Sequence, residues 1–176
     1  MLQVLPLSVA LAADAMAVTA SISGAESGRA LVWRAALVFG VFQAGMAALG
    51  AVGGVWLSTL VGAGLSWVAC VVLVALGLRM IVGADDEDTD AELSWTALLA
   101  LGVATSVDAL AAGVSLPAFS TPIWVSVLSI GGVTTALSAG AGLGGHLLGE
   151  RFGLVVQRLG GAVLILLGVS AVWGLE

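Results

Sequence analysis

The sequence predicts an all-α polytopic membrane protein with six transmembrane helices, built as two inverted-topology three-helix repeats. Three observations predict this fold. Of the 176 residues, 60% are apolar and 9% are charged, and the mean hydropathy is +1.18, values typical of membrane proteins. Six apolar stretches are long enough to cross a bilayer core, which takes about 20 residues. The two halves of the chain also contain matching motifs, each around one aspartate.

The six apolar stretches follow one another with short connections, so we expect one membrane unit without a soluble domain. The first stretch lacks a positively charged start and contains Asp14, which argues against a cleavable signal peptide. The single Cys70 excludes a disulfide framework. The predicted helices cover residues 2–23, 35–57, 65–83, 93–116, 123–148 and 154–175.

The arginines predict the orientation of the helices. Arg29 and Arg34 lie between the first two helices, Arg79 ends the third, and Arg151 and Arg158 lie between the last two. The connections on the other side contain no arginine or lysine. By the positive-inside rule, the arginine-bearing connections face the cytoplasm, so both termini face outward.

An acidic segment follows the third predicted helix. Residues 85–92, DDEDTDAE, hold six of the 11 acidic residues, and the rest of the chain is neutral, which excludes a nucleic-acid binder. Asp86, Asp88 and Asp90 resemble the start of an EF-hand, but the glycine and glutamate that this loop requires are missing. We expect either a solvated loop or a weak antenna that concentrates cations near an entrance.

The chain contains an internal repeat with a period of three helices. Aligning Asp14 with Asp108 brings identical residues together around both, and a slightly different offset aligns Gly53–Gly54 with Gly144–Gly145. Because three is an odd number, the second half must enter the membrane from the opposite side, an architecture typical of transporters. We therefore expect a first repeat over 1–84, an acidic cytoplasmic loop over 85–92 and a second, inverted repeat over 93–176.

Asp14 and Asp108 are the two acidic residues predicted inside membrane helices, and both are expected near the bilayer midplane. A charge at that depth costs a few kcal/mol on insertion scales, and no arginine is predicted there to neutralise it. Two carboxylates balance one divalent cation, and protons compete for the same oxygens, which offers a route to antiport. Close carboxylates resist joint ionisation, so the empty pair is expected to retain a proton.

Four further residues are candidate ligands of such a cation. Thr105 and Ser106 shortly precede Asp108, and Gln43 has an amide that is costly to bury unpaired. Oxygen ligands suit Mg²⁺, Ca²⁺ and Mn²⁺, whereas a thioether from Met46 would favour a softer ion such as Mn²⁺. The alternative role for these residues is helix packing and hydrogen bonding to the backbone, which is common in membrane helices.

At these positions the chain resembles the MntP family of bacterial manganese efflux pumps. The stretch DAMA at 14–17 is similar to the family's Asp-Ala-Phe-Ala motif, and ATSVDA at 104–109 matches its helix 4 motif. Further similarity lies in FGVFQAGM at 39–46, LGLRMIVGADDED at 76–88 and LGG at 159–161. The order and spacing of these motifs extend the resemblance over nearly the whole chain.

The resemblance implies Mn²⁺ export across the bacterial inner membrane, with Asp14 and Asp108 as the central pair, and a distant likeness to the lysine-exporter superfamily. Mn²⁺ is then a transported substrate, no cofactor is expected, and the protein is not an enzyme. The expected partners are Mn²⁺ and the lipid bilayer, without nucleic acid, for a monomer or homodimer. The chain departs from the family pattern at Ala12, Ala47 and Gln157, and keeps both aspartates.

Two other functions remain open at this point. An exporter of a cationic organic solute, such as a basic amino acid, would need a larger cavity and a partner for the solute's carboxylate. A non-transporting membrane scaffold would keep its two aspartates protonated as hydrogen-bond donors. The sequence contains no phosphate-binding loop or nucleotide fold that would favour an enzyme.

Overall fold

The computed structural model describes residues 3–21, 29–82, 95–144 and 149–173, and these segments are helical and contain no β-strand. The acidic segment 85–92 lies outside the described residues. The helices are α1 (Val4–Ser21), α2 (Arg29–Val61), α3 (Leu65–Val82), α4 (Trp95–Ala104), α5 (Val107–Gly113), α6 (Ile123–Leu143) and α7 (Gly149–Trp173).

Four stretches of the described chain are long and apolar enough to cross a membrane. Two shorter apolar stretches, Ser66–Leu78 and Arg158–Ser170, lie within α3 and α7. The prediction of an all-helical polytopic membrane protein is therefore confirmed. The four long stretches are Val4–Ser21, Arg29–Leu60, Trp95–Ala118 and Ile123–Leu143.

The helix α2 is longer at both ends than the sequence predicts. Its 33 residues make a rod of about 50 Å at 1.5 Å per residue, whereas the bilayer core is about 30 Å thick. The helix ends at a short 3₁₀ turn, Gly62–Gly64, where Gly62 has a φ of 52°. Glycine adopts this left-handed conformation without the steric cost that a Cβ would bring, so the chain can reverse tightly into α3.

The fourth predicted helix differs from the expected continuous helix over 93–116, because it is broken at Thr105 and Ser106. The Ser106 N–H donates to the Val103 carbonyl at 3.2 Å, three residues back instead of four. The Ser106 hydroxyl also donates to the Gly102 carbonyl at 2.6 Å, and the Thr105 hydroxyl to the Leu101 carbonyl at 2.9 Å. Side-chain bonds of this kind compete with the backbone ladder and bend or interrupt a helix.

The helices α2 and α6 cross closely at a pair of glycines. A Cβ on Gly131 would lie 2.9 Å from both the Gly40 carbonyl oxygen and the Ala44 side chain. A Cβ on Gly40 would lie 2.8 Å from the Gly131 carbonyl oxygen and would overlap the Thr135 hydroxyl. Around this crossing, α1 packs on α6 and α7, and α5 packs on α2.

The helices α3 and α7 form an outer pair that also meets at small residues. A Cβ on Gly77 would overlap the Gly161 carbonyl and lie 2.7 Å from the Ile165 side chain. A Cβ on Gly168 would lie 3.0 Å from the Cys70 carbonyl oxygen and 3.3 Å from the Val74 side chain. Small residues at such crossings let membrane helices approach closely enough for dispersion contacts to hold them together.

All six tryptophans are exposed and lie near helix ends. The Arg34 guanidinium lies 5.6 Å from the Trp95 ring centroid, which puts the starts of α2 and α4 at one end of the bundle. On α2, Trp33 and Trp56 are separated by roughly 34 Å at the helical rise, close to the thickness of a bilayer core. The tryptophans thus form two aromatic belts, with Trp33 and Trp95 at the arginine-bearing end and Trp56, Trp67, Trp124 and Trp173 at the other.

Candidate metal site

Gln43 on α2 is fully buried and joins two other helices. Its Nε2 donates to the Leu11 carbonyl of α1 at 2.8 Å and to the Thr105 carbonyl at the break at 3.2 Å. Because both partners are carbonyl oxygens, only the amide nitrogen can make these bonds, which determines the orientation of the side chain. Leu11 precedes Asp14 by three residues, and Thr105 precedes Asp108 by three, so one amide binds equivalent positions in the two acid motifs.

Asp108 lies in the first turn of α5, directly beyond the break. Its side chain is 7% exposed, and its Oδ1 accepts the Ala109 N–H at 2.7 Å. In a continuous helix that N–H would donate to the Thr105 carbonyl. The break therefore leaves the Thr105 carbonyl available to Gln43 and directs a backbone donor to the carboxylate of Asp108.

Asp14 lies in the middle of α1, which is uninterrupted, and its side chain is partly buried. Residues three positions apart share one side of a helix. Asp14 is therefore on the side of α1 where the Leu11 carbonyl binds Gln43. The structure thus brings the turns that bear Asp14 and Asp108 to one buried amide.

The other candidate ligands have different surroundings. Thr105 and Ser106 are buried, and their hydroxyls donate to the preceding turn while each oxygen keeps lone pairs that can accept or ligate. Met46 is partly buried, packs against the apolar core and lines an open apolar groove of about 440 Å³ with Phe42 and Leu49. The structure brings Gln43 and Thr105 into contact and gives Met46 hydrophobic neighbours.

Three buried side-chain atoms in the described segments have no hydrogen-bond partner: Gln43 Oε1, Thr134 Oγ1 and Ser138 Oγ. Thr134 and Ser138 lie one turn apart on α6 and are fully buried. Sequence reasoning missed these two residues as candidates. The predicted internal repeat contains a signal for Thr134, because the offset that aligns Gly53–Gly54 with Gly144–Gly145 also aligns Gln43 with Thr134.

Within the described part of the chain, no three histidine, cysteine, aspartate or glutamate side chains group together as a metal centre. The acid motifs instead combine carboxylates with neutral oxygens from an amide, hydroxyls and carbonyls. Oxygen donors suit hard divalent cations, including Mn²⁺. A small number of charged ligands also suits a transported ion, which must be bound strongly enough to enter and weakly enough to leave.

Comparison with known proteins gives consistent matches over most of the chain. A family model described as "Putative manganese efflux pump" matches residues 26–172. A relative from Aliarcobacter butzleri, named "Putative manganese efflux pump MntP", is 40% identical over 97% of this chain and 98% of its own length. A relative with the same name from Methanothermobacter thermautotrophicus is 38% identical over 97% of this chain and 94% of its own length. Another, from Methanosarcina acetivorans, is 40% identical over 92% of this chain and 90% of its own length. No solved structure matches.

Proposed function

This chain belongs to the MntP family, and on that premise we propose that it exports Mn²⁺ from the cytoplasm across the bacterial inner membrane. The observation that supports this most strongly is the Gln43 amide, which binds the carbonyls of Leu11 and Thr105 and so joins the turns that bear Asp14 and Asp108. Two carboxylates compensate one divalent cation where an unpaired buried charge is costly.

The two halves of the chain are inverted repeats in this proposal, and the helix contacts support that relation. Exchanging the halves replaces α1 by α4–α5, α2 by α6 and α3 by α7. The packing of α1 on α6 then corresponds to the packing of α5 on α2, and both occur. The pairs α2–α6 and α3–α7 correspond to themselves, and both are in contact.

Individual contacts support the same two-fold relation. Under two-fold symmetry, if one residue contacts a second, the counterpart of the first must contact the counterpart of the second. Gly77 meets Gly161, and Gly168 meets Cys70. At one and the same sequence offset, Gly168 is the counterpart of Gly77 and Gly161 is the counterpart of Cys70. Each of these two contacts is therefore the symmetry copy of the other. At the α2–α6 crossing, Gly40 meets Gly131, which is its own counterpart at the same offset. A residue that contacts its own counterpart lies at the two-fold axis. The repeats then cover 1–84 and 93–176, and the acidic segment 85–92 connects them.

Each repeat supplies one charged ligand, Asp14 or Asp108, to the transported ion. Gln43 Oε1, which has no hydrogen-bond partner, is a neutral ligand beside them. The Thr105 and Ser106 hydroxyl oxygens are weaker ligands at the break, and Met46 offers a softer ligand on the next turn of α2. Mn²⁺ favours octahedral coordination by oxygens, so carboxylates and neutral oxygens together provide a suitable set.

The direction of transport follows from the orientation of the helices. The arginines and two of the tryptophans lie at the end that we assign to the cytoplasm, so both termini lie outside. Mn²⁺ enters from the cytoplasmic end, loses water, binds between α1 and α5, and leaves outward when the repeats rearrange. Protons return on the same carboxylates, so the empty site remains neutral.

A manganese-sensitive strain without its own exporter tests the proposal. Expression of the wild-type chain restores growth in Mn²⁺, and Asp14→Asn and Asp108→Asn each abolish the rescue, because asparagine removes one of the two compensating charges. The matched control is Asp88→Asn, the same change outside the described helices, which retains rescue. Rescue by both variants at wild-type level would contradict export through this site, because the two carboxylate charges would then not be needed. Aspartates that serve only as protonated hydrogen-bond donors, as in a membrane scaffold, tolerate replacement by asparagine.

A further inference from the structure

We propose that Thr134 and Ser138 on α6 bind the transported cation, with Thr134 as the repeat counterpart of Gln43 and Ser138 as the next oxygen toward the end of α6. This inference rests on the export proposed above and adds ligands from a fourth segment of the bundle. Its first support is that both hydroxyls are fully buried without a hydrogen-bond partner.

The unpaired state of these hydroxyls is unusual among the described residues. Buried hydroxyls elsewhere in the described helices donate to a carbonyl three or four residues back, as those of Ser8, Thr19 and Ser115 do. Thr135, which directly follows Thr134, also donates to the carbonyl four residues back, at 2.9 Å. Because an unpaired buried hydroxyl destabilises a fold, two of them one turn apart indicate an occupant that completes their bonding.

The position of α6 relative to α1 gives the second support. A Cβ on Gly142, near the end of α6, would lie 2.7 Å from the Thr19 side chain, near the end of α1. Because these two helix ends meet and the helices also pack extensively, α1 and α6 run side by side in the same direction. Their residues can therefore be matched by depth, counting back from Gly142 and Thr19 at the same rise per residue.

This matching places the two hydroxyls at the depth of the acid motif of α1. Thr134 comes eight residues before Gly142 and is level with Leu11, whose carbonyl binds the Gln43 amide. Ser138 comes four residues before Gly142 and is level with the residue after Asp14. The hydroxyls of α6 thus lie at the two depths that bracket Asp14.

The chemistry of these oxygens suits a transported ion. Hydroxyls are neutral, so they replace the water of a hydrated cation without adding charge to the two carboxylates. Each repeat then supplies one carboxylate and one neutral side-chain ligand, Gln43 in the first and Thr134 in the second. Ser138 lies nearer the cytoplasmic end of α6 and is the first of these oxygens that an entering ion meets.

Transport by purified protein in liposomes tests the assignment. Thr134→Val keeps the shape of the side chain and removes the oxygen, and Ser138→Ala does the same for the second position. With a Mn²⁺-quenched dye inside the liposomes, we expect the half-saturating Mn²⁺ concentration to rise about three- to tenfold in Thr134→Val, as for the loss of one modest ligand. The rise is larger in the double variant. Thr134→Ser retains the oxygen and remains near wild type.

The matched control is Thr135→Val, the same change at a neighbouring residue whose hydroxyl already has a partner, and it leaves half-saturation unchanged. Thermal unfolding without Mn²⁺ gives a second readout. Because valine removes an unpaired polar group, Thr134→Val unfolds at a higher temperature than wild type, and added Mn²⁺ stabilises the variant less.

Two outcomes separate the inference from the proposed function. If the double variant transports Mn²⁺ with wild-type half-saturation while Asp14→Asn is inactive, export stands and the α6 assignment is overturned. The same holds if Thr134→Val lowers the unfolding temperature and the maximal rate without changing half-saturation, since a structural hydroxyl behaves in that way. If Asp14→Asn and Asp108→Asn transport like wild type, the proposed function itself fails.

Discussion

Gln43 is the residue that connects the two acid motifs most directly. Its amide binds one carbonyl in α1 and one at the α4–α5 break, each three residues before an aspartate. A buried amide inside an apolar helix must find partners, because water is absent there to satisfy it. The geometry therefore makes Gln43 a link between the two turns that bear the aspartates.

Replacement of Gln43 by leucine tests this link. Leucine fills a similar volume and removes both hydrogen bonds, so we expect the free energy of unfolding to fall by about 1–2 kcal/mol, as for interhelical polar contacts in membranes. Thermal unfolding in detergent measures the change. Gln3→Leu, at the partly buried start of the described chain, is the control and remains near wild type. A Gln43→Leu protein as stable as the control would contradict the role of the amide.

At the level of single residues, the sequence predicts part of the candidate site. Asp14, Asp108 and Gln43 are recognisable because charged and amide side chains are costly inside apolar helices. The partners of Gln43 are backbone carbonyls, which every residue possesses, so no residue type identifies them. Thr134, which we propose as a ligand, does not stand out in the sequence for a related reason. A hydroxyl in a membrane helix ordinarily bonds to its own backbone, and only the missing partner distinguishes Thr134.

At the scale of elements, the break between α4 and α5 is the main difference from the sequence-based expectation. Apolar length predicts that a segment crosses the membrane, but it does not report an interruption inside that segment. Thr105 and Ser106 donate to the preceding turn, and the ladder resumes only when Leu110 N–H donates to the Ser106 carbonyl at 3.1 Å. The helix α1, which bears the other acid motif, is continuous. The backbone around Asp108 thus differs from the backbone around Asp14.

The packing of α2 on α5 gives a prediction with an internal control. A Cβ on Gly50 would overlap the Leu110 carbonyl and lie 2.9 Å from the Gly113 Cα, whereas a Cβ on Gly53 would meet nothing within 4 Å. We expect Gly50→Ala to lower the free energy of unfolding by about 1–3 kcal/mol through overpacking. Gly53→Ala gains up to about 1 kcal/mol in helix propensity. Thermal unfolding of both variants measures the difference, and equal effects would contradict the close approach.

The sequence predicts more about the architecture of the whole molecule than about contacts between single residues. Membrane location and helical class depend on composition, which a sequence displays directly, whereas the orientation inferred from the distribution of arginines stays a prediction. The sequence also predicts an internal repeat, because the two aspartates and several glycines recur in order. The contacts of Gly77 with Gly161 and of Gly168 with Cys70 cannot be predicted from the sequence. Many glycine pairs have suitable spacing, and only the packing of the helices selects among them.

Cysteine labelling tests the orientation of the whole molecule. In a Cys70→Ser background, Gln3→Cys is expected to react with a membrane-impermeant maleimide in intact spheroplasts, because the proposed orientation places the start of α1 outside. Ala30→Cys, exposed at the arginine-bearing start of α2, reacts only after permeabilisation. The reverse pattern would place both termini inside and would contradict the direction of transport.

The central claim is that one Mn²⁺ is held jointly by Asp14 and Asp108, one from each half of the molecule. Anomalous diffraction from crystals soaked in Mn²⁺ tests it most directly, because the peak reports the metal position independently of the protein chain. We predict one strong peak in direct contact with carboxylate oxygens of both aspartates, and its loss in Asp14→Asn crystals. A peak that contacts neither aspartate, or one that persists unchanged in Asp14→Asn, would contradict the account.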